Sequence, residues 1–195
     1  MGCDIHTMLV TAEPVTGNTT AVRCNICTHG EPTRFEVANF RNYMVFGLLT
    51  GGTVRDYGLT EFNLENHGKY PYPIDVCGDP IAEKFVKDYT ENPNNCYHSF
   101  CYVSQAEVSN LLSRLRTYKD VTLGEKIRTI KESADFSENE SKQALVEYDE
   151  ELYNEVEGAI SCLEPIVSFM NSVTYNLWCN GRQDDTVYLL MMFDS

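Results

Sequence analysis

The chain has 195 residues, 43% hydrophobic and 23% charged, enough apolar material for one packed core and too much for a chain disordered throughout. Its 29 acidic and 15 basic residues leave a net charge of −14, which repels a phosphate backbone and argues against direct nucleic-acid binding. A basic partner, or simple solubility, suits that charge better.

In chain order, CDIHTMLVTA (3–12) reads as a first strand, and Gly17-Asn18 turns the chain into a second, AVRCNI (21–26). TRFEVA (33–38) is a third strand candidate. The period then changes. Phe40, Tyr43, Phe46 or Gly47, and Leu48 share one helical face, with Asn39 placed to cap it and Gly51-Gly52 to end it. Residues 53–79 are rich in Gly, Tyr, Asn and Pro and read as a long irregular loop. Asp79-Pro80 opens a short helix, IAEKFVKDY, which Asn92-Pro93 breaks. CYHSFCYV (96–103) reads as a short strand, and Ser104-Gln105-Ala106-Glu107 is a capping box that launches VSNLLSRLRTY.

Residues 121–176 read as helical. From Asp135 to Glu164 there are ten acidic residues and one lysine, Lys142, with Leu145, Tyr148, Leu152, Val156, Ala159 and Ile160 at three- and four-residue spacing. That pattern predicts an amphipathic helix with an acidic outer face. CNGRQDD then turns, and TVYLLMMFD has the nearly unbroken apolarity of a central strand. The expected architecture is α+β, a single domain over 1–195. Its small mixed or antiparallel sheet comes from the N-terminal hairpin and the C-terminal strand, packed with several helices.

The eight cysteines are an even number, but no apolar signal region follows the start and Asp4 stands where a signal peptide wants Lys or Arg. No apolar run approaches the ~18 residues needed to cross a bilayer. The expectation is a cytosolic protein with reduced thiols.

Several segments, in order, resemble a family of small proteins encoded mainly by tailed bacteriophages. They are Gly2-Cys3-Asp4-Ile5-His6, then Arg41-Asn42-Tyr43 with Phe46, then Cys96-Tyr97-His98-Ser99-Phe100 before SQAEV. Val146-Glu147-Tyr148 and a last strand ending Met192-Phe193-Asp194 complete the set. The family pattern has His where this chain has Cys96, and Cys77-Gly78-Asp79-Pro80 replaces its Arg-Gly-Leu-Pro run. The resemblance implies expression in the host cytoplasm and, by association, action on the host, including its defence systems.

Asp4 and His6 alternate on one strand, and Asp194 and His98 join them if the terminal strands pair centrally and the third lies alongside. Asp4, His6 and His98 are thus the catalytic candidates, and Asp4, His6, Cys96 and His98 a candidate set for a divalent metal, zinc or magnesium/manganese. Arg41, Asn42 and Tyr43 at a helix start, with Ser99 and Asp194, are candidate ligand contacts. Cys24-x-x-Cys27-x-His29 is half a zinc pattern. Each has a structural alternative: Asp4 and His6 satisfying backbone groups, Tyr43 in the core, cysteines simply buried. The expected geometry puts Asp4 and His6 on a concave surface with His98 and Asp194, and Cys3, Ile5 and Leu9 against the core.

No phosphate loop, nucleophile elbow or HExxH occurs. The leading expectation is therefore a binding protein that inhibits or sequesters a host defence protein or a small signalling nucleotide, away from any membrane. The alternative is a metal-dependent hydrolase, of phosphoesterase or nuclease type, built on Asp4, His6 and His98.

Overall fold

β4 (Thr186–Phe193) organises the sheet because its sequence, TVYLLMMF, can be buried on both faces. The computed structural model describes residues 5–14, 16, 18–22, 42–49, 59–64, 79–90 and 98–193. Among them, β4 pairs antiparallel with β1 (Ile5–Ala12) on one side and with β3 (His98–Ser104) on the other. β2 (Thr19–Ala21) flanks β1, giving the order β2-β1-β4-β3. Helices pack on this antiparallel sheet, so the fold is α+β. β2 starts two residues before the expected strand, and residues 23–26 and the strand candidate at 33–38 lie outside the described residues.

Register sorts the core into two layers. Leu9 and Val103 both pair with Leu189, and together with Val187 and Met191 they join the main core under the helices. Met8, Val10, Tyr102 and Leu190 form a second cluster on the opposite face, with Ala21 and Ala82. Leu9 faces the main core as expected. From Met8 onward the opposite side of β1 is a second dry layer; the side chains of Asp4, His6, His98 and Asp194, expected on a concave surface, lie outside what the structure describes.

α2 (Pro80–Thr90) covers that layer, and one side chain ties it down. Asp79 is 4% exposed; its Oδ1 accepts from the backbone N–H of Ile81 at 2.9 Å and of Ala82 at 3.4 Å, and its Oδ2 accepts from Ala21 N–H at 3.0 Å. The Asp-Pro start expected to cap α2 does so, and the same carboxylate also holds the edge strand.

α1 (Tyr43–Leu49) is capped by Asn42, whose Oδ1 accepts from Val45 N–H at 3.0 Å; Asn39, the cap expected from the sequence, lies outside the described residues. Its buried side chains are Met44, Val45, Leu48 and Leu49, with Tyr43 half-buried against the same core; Phe40 and the Phe46 side chain of the expected face lie outside what the structure describes. α3 (Gln105–Thr117) begins with the expected capping box: Glu107 Oε2 accepts from Ser104 N–H at 2.7 Å, and Ser104 Oγ accepts from Glu107 N–H at 3.3 Å.

The expected helical stretch 121–176 is subdivided. A π-helical segment, Tyr118–Gly124, follows α3 and leads into α4 (Glu125–Lys131). A single 3-10 turn, Phe136–Glu138, precedes α5 (Glu140–Cys179), whose 40 residues run through Pro165. Gly181, at φ +73°, makes the turn into β4.

Asp79→Ala removes a helix cap and leaves Ala21 N–H without its acceptor. Denaturant titration should show a loss of about 2 kcal/mol, with α2 the first element to lose amide protection.

Candidate functional site

The best-defined polar arrangement among the described residues is the helical arm made by α3, the π-helical segment and α4 against the first half of α5. Its seam is a strict alternation of three- and four-residue steps along α5. Val146, Asp149, Tyr153, Val156, Ile160, Leu163, Val167 and Met170 carry it, all buried except the half-buried Tyr153. A repeat of 3.5 residues keeps one stripe facing an antiparallel neighbour, as in a coiled coil. The expected stripe is corrected at its start: Leu145 is 42% and Tyr148 61% exposed. They lie one residue before Val146 and Asp149, which take the inward positions.

Asp149 is therefore a carboxylate at a core position, 1% exposed. Lys126 Nζ lies 2.8 Å from both oxygens; it donates to Oδ1, while Oδ2 is held by charge without a hydrogen bond. Asp149 can stay in the seam because α4 delivers a cation at that height and contributes no fully buried side chain of its own.

One flank of α5 is neutralised from within the chain. Glu150, Glu157 and Glu164, seven residues apart, pair with Lys131 at 2.6 Å, Lys119 at 2.5 Å and Arg116 at 2.5 Å. Lys119 also lies 5.4 Å from the Tyr153 ring centroid. Its hydrogen bond to Glu157 raises the Lys119 pKa above its ordinary value. Burial raises that of Tyr118, and the charge of Glu61 adds to it. At the base of α5, Lys142 pairs with Asp135 and, with Asn139, lowers the pKa of that exposed carboxyl. Asp135, Glu138, Asn139, Glu140 and Ser141 line an open hollow beside the helix start.

The outer flank is different. Glu147, Glu151 and Glu155 follow one another at four-residue steps, exposed, with Glu140 one helical repeat earlier. None has an ion-pair partner among the described residues, and the Tyr148 ring stands among them. Such a face can take up a row of Lys or Arg side chains around an aromatic anchor.

Of the residues singled out in the sequence, Asp4, Arg41, Cys96 and Asp194 lie outside the described residues, as do Cys24, Cys27 and His29. For His6, His98 and Ser99 only the backbone is placed. His6 pairs with Met192 on β4, and His98 pairs with Phe193 across the same strand, in the adjacent row, with a register shift before Cys101. The strand order thus brings the two histidine positions to one end of the sheet, two strands apart, about 10 Å at the usual strand spacing. The pairing itself matches the expectation. Among the described residues no group of three His, Cys, Asp or Glu is placed to hold a metal ion. Asn42 caps α1, hydrogen-bonds to the Cys162 thiol and lies near Gly158, so its described contacts join α1 to α5.

The lysine and arginine partners of α5, the buried Asp149 and the π-helical segment were not anticipated from the sequence. The Asp149 signal was there, because a 3.5-residue repeat runs straight through it.

No protein-family model, curated protein or solved structure matches the chain. Among the described residues no helix is long and apolar enough to cross a membrane.

Lys126→Ala leaves a buried carboxylate without its donor, and because Lys126 itself is half exposed the loss should be about 1–3 kcal/mol in a denaturant titration. Lys126→Met combined with Asp149→Leu, which makes the seam apolar, should recover that loss. A double variant no more stable than Lys126→Ala would refute this account of the pair.

Stability should also fall at high pH. Lys119 contributes in full below its ordinary value of 10.5, and that contribution is lost as pH rises through its higher folded value. Tyr118 acts in the same direction from 10.0 upward, because the unfolded chain ionises first. The unfolding midpoint should drop through this range, and less steeply in Lys119→Met.

Proposed function

We propose that this is a phage-encoded, cytosolic accessory protein that acts by binding, inhibiting or sequestering a host component, with the outer flank of α5 as its contact surface. The observation that carries this reading is the asymmetry of α5. Glu150, Glu157 and Glu164 are matched by the chain's own cations, while Glu147, Glu151 and Glu155 are left open around an exposed Tyr148. A host defence protein with a basic face fits this surface. A signalling nucleotide would have to approach against the chain's net charge of −14. The ordered resemblance to phage proteins supplies the cellular setting.

The test is capture from bacterial lysate with the full chain. A single dominant partner should be retained at low salt, released as ionic strength rises, and bound at least ~10-fold more weakly by the triple variant Glu147→Lys, Glu151→Lys, Glu155→Lys. Equal binding by that variant would place the contact elsewhere.

A second reading is a divalent-metal hydrolase using Asp4, His6 and His98 with Cys96 and Asp194: β1 and β3 flank β4 and bring the histidine positions to one end of the sheet, in consecutive rows of β4, at Met192 and Phe193, that alternate between its faces. Metal analysis of the purified protein, with a hydrolysis screen on nucleotides and cyclic dinucleotides, separates the two. Metal-dependent turnover lost in His6→Ala and His98→Ala would favour the hydrolase. A metal-free, inactive protein would remove it.

A further inference from the structure

α4 is held to the arm chiefly by charge. Between Leu123 and Val146 no side chain is fully buried, although the chain there runs through all of α4 and the 3-10 turn. Ile127 and Ile130 are only partly buried. The polar ties from α4 to α5 are Lys126 on Asp149 at 2.8 Å and Lys131 on Glu150 at 2.6 Å. The two ends of α4 are fastened differently. Before it, the π-helical segment is anchored by Leu123 in the main core. After it, the 3-10 turn is held by the first turn of α5. Lys142 pairs with Asp135 and donates to Ser133 Oγ at 3.1 Å, and Gln143 Nε2 donates to the carbonyls of Phe136 at 3.2 Å and Ser137 at 3.0 Å.

We infer that α4 is a strap, fixed at both ends and latched in the middle by Lys126 and Lys131, that melts and lifts off α5 as a unit while the rest of the fold stays closed. Its length is the first reason. A helix of seven residues is well short of the ~12–15 that an isolated helix needs in water, so α4 is helical only while it is latched. Melting also supplies the slack. Seven residues span about 10 Å as helix and up to about 23 Å extended, so the strap lifts with both ends in place. The seam residue at this height suits both states. A leucine at position 149 would favour only the closed seam. Asp149 is paired with Lys126 when α4 is down, and its Oδ2, which has no hydrogen bond there, gains water when α4 lifts. Little apolar surface opposes the change, because Val146 is the only fully buried apolar residue of α5 before Val156. Exchange of a short segment between order and disorder is an established way for a fold to switch. Here lifting strips the cations from Asp149 and Glu150, next to Glu147 and Glu151, so the strap sets how many uncompensated carboxylates α5 presents. The device holds whatever the outer flank binds.

Native-state hydrogen exchange on the full chain reads the lift directly. Near neutral pH, the α4 amides should be protected at least ~100-fold less than those of Leu111–Leu115 in α3 and Val156–Met170 in α5. Raising salt from about 0.15 M to about 1 M cuts the Debye length from about 8 Å to about 3 Å and should speed exchange in α4 while those reference amides hold. Lys126→Gln with Lys131→Gln, both at half-exposed positions, should remove most of the remaining α4 protection and spare the reference amides. Lys126→Met with Asp149→Leu replaces an ionic latch by an apolar one and should slow α4 exchange at least ~10-fold. The inference is overturned if the α4 amides of the unaltered chain exchange only together with those of α3 and α5, for then the arm opens as one body. It is equally overturned if the double glutamine variant leaves α4 exchange unchanged, or if the apolar latch fails to slow it.

Discussion

Helix α5 is the constraint on which the rest depends. Its 40 residues reach about 60 Å, far longer than the eight-residue strand β4 that it crosses. One stripe therefore has to be complementary to two different surfaces. Toward its C-terminus the stripe meets the sheet, where Leu189 and Met191 face Leu163, Val167 and Met170 in one core. Toward its N-terminus the sheet has ended, and α3, the π-helical segment and α4 double back to cover it. The arm exists because the helix outruns the sheet.

That demand also explains the two features that break local rules. Pro165 in a helix interior removes a backbone hydrogen bond and costs about 3 kcal/mol, yet the helix continues. Leu163, Ile166, Val167 and Met170 around it are nearly or fully buried, each worth about 1.5–3 kcal/mol. Packing wins by several-fold. Asp149 breaks the polarity rule in the same way, and there Lys126 supplies the charge that makes it tolerable. The π-helical turn between α3 and α4 shifts the phase of the covering strand of chain: α3 buries Leu111, Leu112 and Leu115, after which Leu123 is the next fully buried contact.

Features written in adjacent residues were legible in the sequence. The capping box at Ser104–Glu107, the Asp79-Pro80 start and the unbroken apolarity of β4 each depend on a few neighbours, and each is where it was expected. The α+β class followed from strands at both ends with helices between them. Phase was harder. Leu145 and Tyr148 fit a helical period as well as Val146 and Asp149 do, and an aromatic looks more like core than an aspartate. Only the cation brought in from Lys126, 23 residues away, reverses that choice. The same holds for Glu150, Glu157 and Glu164: an acidic run looks uniformly solvated until the opposing helix shows which carboxylates are matched. For the histidine cluster, the strand order was legible, since central pairing of the terminal strands was expected.

The division of charge along α5 has a consequence that neither half has alone. A uniformly acidic helix would attract cations along its whole length and hold no partner in a fixed position. Here the three matched glutamates neutralise one flank, and the stretch from Pro165 to Gly181, which holds no Asp, Glu, Lys, Arg or His, ends the field at the base of the arm. The uncompensated carboxylates are thereby confined to one flank of one half of one helix, with Tyr148 near the centre. On the proposed reading, long-range attraction would bring a basic surface to that place, but such a pull is sequence-blind and screened within about 8 Å. Discrimination must come from what the aromatic ring meets once water is displaced. Neutralising one glutamate should therefore slow association, whereas truncating Tyr148 should speed dissociation, and the two effects separate in a kinetic binding measurement on the captured partner.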